Sequence, residues 1–410
     1  MILKQIDNKN IENLVSKFGE SFYLLDSDVF ENNCNNLLTA FRKYYEKSNI
    51  AYSYKTNYIP KLVKIVDKLG GYAEIVSEME LNIALKSGIR PNRIVWNGPV
   101  KNQSAVHSFL SKGGIVNIDS LKEIKDVYDF VCNNTVSSVD IGIRCNFDVG
   151  DGVLSRFGFD VYDSDFNEAL DIISNCDQIN FKCLQVHFAK RAVQYWTKRA
   201  EGILEIYEYI NNQYNMKPDC IDLGGGMSGN IPVELQKQLN LGDITYDNYA
   251  SQAALIFNKH FKDKEESPWL FIEPGTAVAA SSMRYVCKVK TIKTVRGKTI
   301  ITTNGSQKNI SMSGINPPMI LIGCSNDQIQ CEDADIAGYT CIEADYLYKG
   351  FKGKIGIGDY LVFNSCGSYS VVMKPPFIMP NIPIIDISRN EPELIKRAET
   401  FEDLFQTYYF

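Results

Sequence analysis

In the stretch AYSYKTN an apolar and aromatic run, Ala51 to Tyr54, ends in Lys55, with Thr56 and Asn57 behind it. A lone lysine at a strand end is ordinarily a surface charge, but these neighbours place the amine in apolar surroundings. Desolvation lowers a lysine pKa, by up to about 3–5 units when complete. An amine adjusted in this way attacks aldehydes to form a Schiff base, which makes Lys55 a candidate anchor for pyridoxal 5'-phosphate (PLP). DLGGGMSGN supplies a second group, because Gly224, Gly225 and Gly226 expose backbone N–H donors suited to a phosphate. Gly224, Gly226 and Gly229 also match the GxGxxG dinucleotide pattern, with Asp243 at nearly the usual spacing. That pattern needs the acid to end the next strand, however, and Asp243 lies in the loop-like GDITYD. In FIEPG, Glu273 ends an apolar strand, where an unpaired carboxylate is costly. A pyridinium nitrogen is a suitable partner for it. His187, one of three histidines, also ends a strand, and its flat ring suits stacking on a flat cofactor.

These residues need a frame that brings them together. Between Asn49 and Thr276 strand-like and helix-like pieces alternate: NIAYSYK, GYAEIVS, RIVWNGP, GIVNID, VDIGIRCN, FKCLQVHF, DCIDLGGG and WLFIEPG read as strands. Most are near-continuous apolar runs, as in parallel sheets buried on both faces. Helical stripes lie between them: Leu62, Val63, Val66 and Leu69 before Gly70, and Leu121, Ile124, Tyr128 and Val131 behind a Ser120 cap. Such βα units over roughly 225 residues match a (β/α)8 barrel of about 250. Functional groups in these barrels sit at the C-terminal strand ends, and the unusual polar residues of this chain fall there: Lys55, Glu74, Ser77, Arg144, His187, Gly224 to Gly226 and Glu273. After Ser281 the texture becomes all-β. RYVCKVKTI, GKTIITTNG, KGKIGIGDYLVF and GSYSVVM read as strands. The expected division is an N-terminal segment at 1–30 packing with the β domain, a barrel at 31–280 and a C-terminal β domain at 281–410.

Composition excludes several classes. The net charge of −6 and the lack of a basic arm argue against nucleic-acid binding. The lysines of KVKTIKTVRGK alternate with apolar residues, as on the solvated face of a strand. No window approaches 18 uninterrupted apolar residues, so no membrane span is expected. Eleven cysteines without CxxC pairs point to reduced thiols in a cytoplasmic protein, with no disulfide frame and no metal site.

The chain resembles the fold-type III PLP-dependent decarboxylases, the family of diaminopimelate and ornithine/arginine decarboxylases, over nearly its whole length. AYSYKTN resembles the YAxKAN box with Lys55 as the Schiff-base lysine, and AEIVSEMEL resembles D-x-x-S-x-x-E with Glu74, Ser77 and Glu80. Arg144 matches a strand-end arginine, SRFGF a K/R-FG loop, His187 the ring-stacking histidine, and Glu273 the partner of the ring nitrogen. GYTCIEAD resembles G-P-x-C-x-x-x-D, giving Cys341 and Asp345, and CGSYS resembles GAY, giving Tyr369 as a phosphate contact. The resemblance implies an alanine-racemase-like PLP barrel with a C-terminal β domain. It also implies a homodimer in which the cysteine loop serves the other subunit's active site.

Three departures concern the ligands. HFAK replaces H-x-G-S, putting Lys190 where a phosphate-binding serine is usual, and EPGT replaces EPGR, putting Thr276 after Gly275 in place of arginine. Ile342 and Asn304 stand where the ornithine branch carries acids. Asn304, Glu343, Asp345 and Arg191 are thus the expected substrate contacts, and Lys190, Gly275 and Thr276 are expected beside the cofactor. The expected reaction is decarboxylation of an amino acid, of a non-standard kind from a siderophore, antibiotic or polyamine-type pathway. The alternatives are diaminopimelate decarboxylation, amino-acid racemisation and a non-catalytic PLP-binding regulator. Racemases of this fold pair the ring nitrogen with arginine, and Glu273 argues against that reading. Cys341 as proton donor argues against the regulator.

Overall fold

The computed structural model describes residues 8–134, 137–229, 232–239, 242, 244–264, 266–311 and 315–410. The chain divides into two compact units: Asn33–Gly229 with Ile244–Ala277, and Met1–Asn32 with Asn230–Asp243 and Val278–Phe410.

The first unit is built on eight strands: β1 (Ser48–Ser53), β2 (Tyr72–Ile75), β3 (Ile94–Trp96), β4 (Ile115–Ile118), β5 (Val139–Asn146), β6 (Ile179–Gln185), β7 (Cys220–Asp222) and β8 (Trp269–Ile272). Each pairs in parallel with the next, and β8 pairs with β1 to close the ring. All six residues of β1 and all three of β3 are buried. Burial on both faces is why their sequences read as unbroken apolar runs. The closed ring also rules out the dinucleotide reading, because the glycine loop follows the seventh strand of a barrel rather than the first of an open sheet. Asp243 lies outside the described residues.

The helices between the strands cover the ring. Pro60–Lys68 starts with proline, which suits the first turn, and buries Leu62, Val63 and Val66. Gly70, at φ +79°, reverses the chain after it. Leu121–Asn133 buries Ile124, Val127 and Val131. The expected stripe contained Tyr128, which is instead 39% exposed. Val127 and Tyr128 flank the same stripe, and the phenol takes the side facing water. Ser120 is at the cap position but makes no side-chain cap bond.

In the second unit, the strand Phe22–Leu25 pairs antiparallel with Met283–Val295 and parallel with Ile384–Asp386. Its core gathers Ile11, Leu14, Phe22, Leu24, Val286, Val362 and Ile385. The expected strand at GSYSVVM is a set of turns instead. Tyr369 has φ +63°, a left-handed conformation that no strand contains. A Cβ on Gly367 would meet the Ala279 carbonyl oxygen at 1.9 Å, so two backbones touch where the β-branched run seemed to extend. Strands at Met319–Ile322, Ile329–Ala337, Ile384–Asp386 and Glu393–Lys396 were not anticipated. Among the described residues no helix is long and apolar enough to cross a membrane.

Candidate active site

One hydrogen-bonded network runs across the C-terminal mouth of the barrel. Lys55 does not end β1. It sits in a single 3₁₀ turn, Tyr54–Thr56, just beyond it. Its Nζ bonds Glu74 Oε2 on β2 and reaches Ser53 Oγ at 3.2 Å, and Ser53 Oγ also donates to Glu74 Oε2 at 2.5 Å. The amine is less enclosed than its neighbours imply, with 33% of the side chain exposed, while Glu74 is 1% exposed. The Glu74 carboxylate, more than an apolar pocket, fixes its position.

From Glu74 the network continues through Asn97, which follows β3. Asn97 Nδ2 donates to Glu74 Oε1 at 3.1 Å and to Glu273 Oε1 at 2.6 Å. Its Oδ1 accepts from Asn117 Nδ2 at 2.7 Å. Glu273, immediately after β8, also accepts from Gln185 Nε2 at 3.2 Å. His187 Nδ1 lies 3.2 Å from Glu273 Oε2 and 3.0 Å from the backbone nitrogen of Gly225. Burial by itself would raise the Glu273 carboxyl. The His187 contact and the charges of Lys55 and Arg144 outweigh it and hold the group at about 2, so Glu273 is an anion at neutral pH. Burial pushes His187 below its ordinary value, against the pull of Glu273. Asp222, at the end of β7, is fully buried. Burial and the nearby Glu273 charge push its carboxyl well above the usual range.

The glycines after β7 form a cradle that side chains would fill. Gly224 and Gly226 have φ of +70° and +88°. A Cβ on Gly224 would lie 2.4 Å from the Val186 carbonyl oxygen, and one on Gly225 2.4 Å from that of Glu273. Gly275 is equally constrained, since its Cβ would meet Thr56 Oγ1 at 2.1 Å. Among the described residues the N–H groups of Gly226 and Gly275 donate to nothing. The cradle therefore keeps donors for an anion.

Arg144 on β5 donates to the His187 carbonyl at 3.4 Å and stands 4.7 Å over the Phe157 ring. Gly158, at φ +77°, lets the Arg156–Phe157–Gly158 loop lie on Arg144, whose carbonyl oxygen would be 2.6 Å from a Cβ there. Ser77 caps the helix Glu78–Lys86, accepting from the Glu80 amide, and Glu80 Oε2 accepts from the Val76 amide at 2.7 Å. Lys190 and Arg191 are exposed, and Thr276 is half-buried.

Asn304, Cys341, Glu343, Asp345 and Tyr369 belong to the second unit. A cavity of about 550 Å³ there is lined by Thr340, Cys341, Ile342, Glu343 and Asp345 among others. Cys341 is an exposed thiol. Asp345 accepts from Ser306 Oγ at 3.0 Å, the Gln307 amide at 2.7 Å and Thr340 Oγ1 at 2.6 Å, which ties the cysteine loop to a neighbouring turn. Asn304 Oδ1 accepts from the Lys288 amide at 2.7 Å. The sequence reading missed Asn97, Asn117, Gln185 and Asp222. The one available signal was an amide or acid at the end of an apolar run.

Residues 31–280 match the family model described as pyridoxal-dependent decarboxylase, pyridoxal binding domain. The diaminopimelate decarboxylase of Aquifex aeolicus is 23% identical over 97% of this chain and 93% of its own length. The L-glutamyl-[BtrI acyl-carrier protein] decarboxylase of Niallia circulans is 25% identical over 98% of this chain and 96% of its own. Among solved structures, a diaminopimelate decarboxylase from M. jannaschii superposes with a TM-score of 0.86 at 21% identity, over 97% of this chain and 94% of that one.

Proposed function

The chain belongs to the pyridoxal-dependent decarboxylase family, a group of PLP enzymes that remove CO2 from amino acids, and on that premise we propose roles for its residues and a class of substrate. The donor set fits PLP: an amine for the aldehyde, a glycine cradle with unspent amides for the phosphate, and a buried anion for the ring nitrogen. When bound, the cofactor supplies an electron-accepting ring that takes up the pair left by departing CO2.

Lys55 holds the aldehyde, and Glu74 and Ser53 aim its amine. Glu273 keeps a proton on the ring nitrogen; its own charge is secured by Asn97, Gln185 and His187. His187 presents its ring to the cofactor face. The N–H groups of Gly226 and Gly275 hold the phosphate; those of Gly224 and Gly225 are spent on Asp222 and His187 and shape the loop, and Thr276 and Lys190 lie beside it. Arg144 fixes the backbone that carries His187. In a homodimer, Cys341 works in the other subunit's barrel and returns a proton to Cα as CO2 leaves. Free thiols throughout suit a reducing, cytoplasmic setting. The observation that carries this reading is the single network joining Lys55, Glu74, Asn97, Glu273, His187 and Gly225.

The substrate is an amino acid whose distal end differs from those of diaminopimelate and ornithine. Ile342 and Asn304 offer no carboxylate and Thr276 no guanidinium, and Asp345 is spent on Ser306, Gln307 and Thr340, which leaves Glu343 and Arg191 to read that end. An amino acid carried as a conjugate, in a siderophore, antibiotic or polyamine-type pathway, suits these positions, and the relative acting on a carrier-bound glutamyl group supports the same reading. Diaminopimelate is the second reading, favoured by the end-to-end match to its decarboxylases. Measuring CO2 release over free, carboxylated and conjugated amino acids decides between them. Release from diaminopimelate alone excludes the first reading, and release from none excludes both.

A further inference from the structure

Arg199 lies in the helix Gln194–Tyr214 and is completely buried. Its Nη1 donates to the Gly225 carbonyl at 2.7 Å, and its Nη2 donates to the carbonyls of Phe188 at 3.1 Å and Lys190 at 2.8 Å. The guanidinium is packed over the rings of Trp196 and Phe188, at 4.8 and 5.6 Å. Its Nε has no partner, and among the described residues no carboxylate pairs with it. Burial lowers it only to about 10, so it stays charged at neutral pH. A buried cation is costly unless compensated; the charges of Asp151 and Glu273 act on Arg199 from a distance, and an anion seated at the adjoining loop adds to them.

The peptide geometry indicates where that charge belongs. In a trans peptide the N–H points opposite to the preceding C=O, and no described peptide bond is cis. With the Gly225 carbonyl turned onto Arg199, the Gly226 N–H points away from it, and that N–H has no acceptor among the described residues. A Cβ on Gly226 would stand 3.6 Å from Arg199 Nη2, so the guanidinium lies directly behind the glycine loop. The same bonds tie HFAK, through Phe188 and Lys190, to the loop after β7.

We propose that Arg199 is a positioning residue for the cofactor's phosphate: from behind the loop it locks the Gly225–Gly226 peptide with its N–H outward and supplies the positive charge that the dianion meets. This rests on the reading of the cradle as the phosphate site. It accounts for a cradle in which Thr276 and Lys190 stand where arginine and serine are usual in proteins that this chain resembles.

The test titrates the apoprotein with PLP and with pyridoxal, which lacks the phosphate, and follows binding by absorbance. Arg199→Met weakens PLP about ten- to a hundredfold and leaves pyridoxal within about threefold. Arg199→Lys keeps the charge but cannot span three carbonyls, so it falls between; it also carries the test should Arg199→Met not fold. Equal losses for both ligands, or unchanged PLP affinity, overturn the proposal. Wild-type protein that binds neither ligand overturns instead the reading of the site.

Discussion

Replacing Asn97 by leucine isolates what the buried network contributes. One amide group holds two carboxylates, at 2.6 Å to Glu273 and 3.1 Å to Glu74, and its oxygen satisfies Asn117. A hydrogen bond to a charged group contributes about 1.5–3 kcal/mol. Losing two of them, and stranding the Asn117 donor, costs about 4 kcal/mol or more, of which the leucine side chain regains about 1 kcal/mol by burial. The expected net loss is about 3 kcal/mol, a large part of a typical 5–15 kcal/mol. All three tryptophans, Trp96, Trp196 and Trp269, lie in the barrel unit, so urea unfolding followed by their fluorescence reports that unit alone. Asn97→Leu lowers the midpoint with an unchanged slope. Asn97→Asp adds a third buried carboxyl whose pKa is raised on folding. Its stability is therefore best in acid and is lost as pH rises through that folded value. A Leu variant within about 0.5 kcal/mol of wild type, or an Asp variant with no added pH dependence, would refute the idea that this amide holds the carboxylates in place.

Lys55→Ala abolishes the visible absorbance of lysine-bound cofactor and, by leaving the buried Glu74 carboxylate without its cation, also lowers the unfolding midpoint; retained absorbance assigns the anchor elsewhere. Cys341→Ala keeps that absorbance but slows CO2 release or diverts it to side products, checked by product analysis; normal turnover means another group protonates Cα. Burial raises Glu80 from 4.5 to about 7, and the sign follows from linkage. The folded state holds the proton more tightly, so about 3 kcal/mol of stability present in acid is lost as pH rises through that window. Glu80→Gln retains the acceptor for the Val76 amide and flattens this loss, which unfolding at both ends of the window measures; an unflattened slope places the titration on another group.

Much of the barrel was legible because strands buried on both faces must be written as apolar runs, and NIAYS or RIVW allow few other structures. The polar groups that break such runs were legible for the same reason, which is how Lys55, Glu74, Arg144, His187 and Glu273 stood out. Side chains that complete the network were not. Asn97 reads as the start of a turn in WNGP, and Arg199 sits beside Lys198 on a helix, where basic residues usually face water. Its burial depends on a surface made by the segment just before its helix and the glycine loop after β7, which only the folded barrel brings together. In the β unit, acid-rich QCEDADIA hides a strand, and SYSVVM mimics one until Tyr369 takes a left-handed conformation. Local composition does not encode either outcome.

The central claim is that Lys55 anchors the cofactor in a barrel whose mouth carries Glu273. The most direct measurement is borohydride reduction of the protein after incubation with PLP, followed by mass analysis of its peptides. The account predicts one stable adduct, on the peptide containing Lys55. An adduct on another lysine, or none, would contradict it.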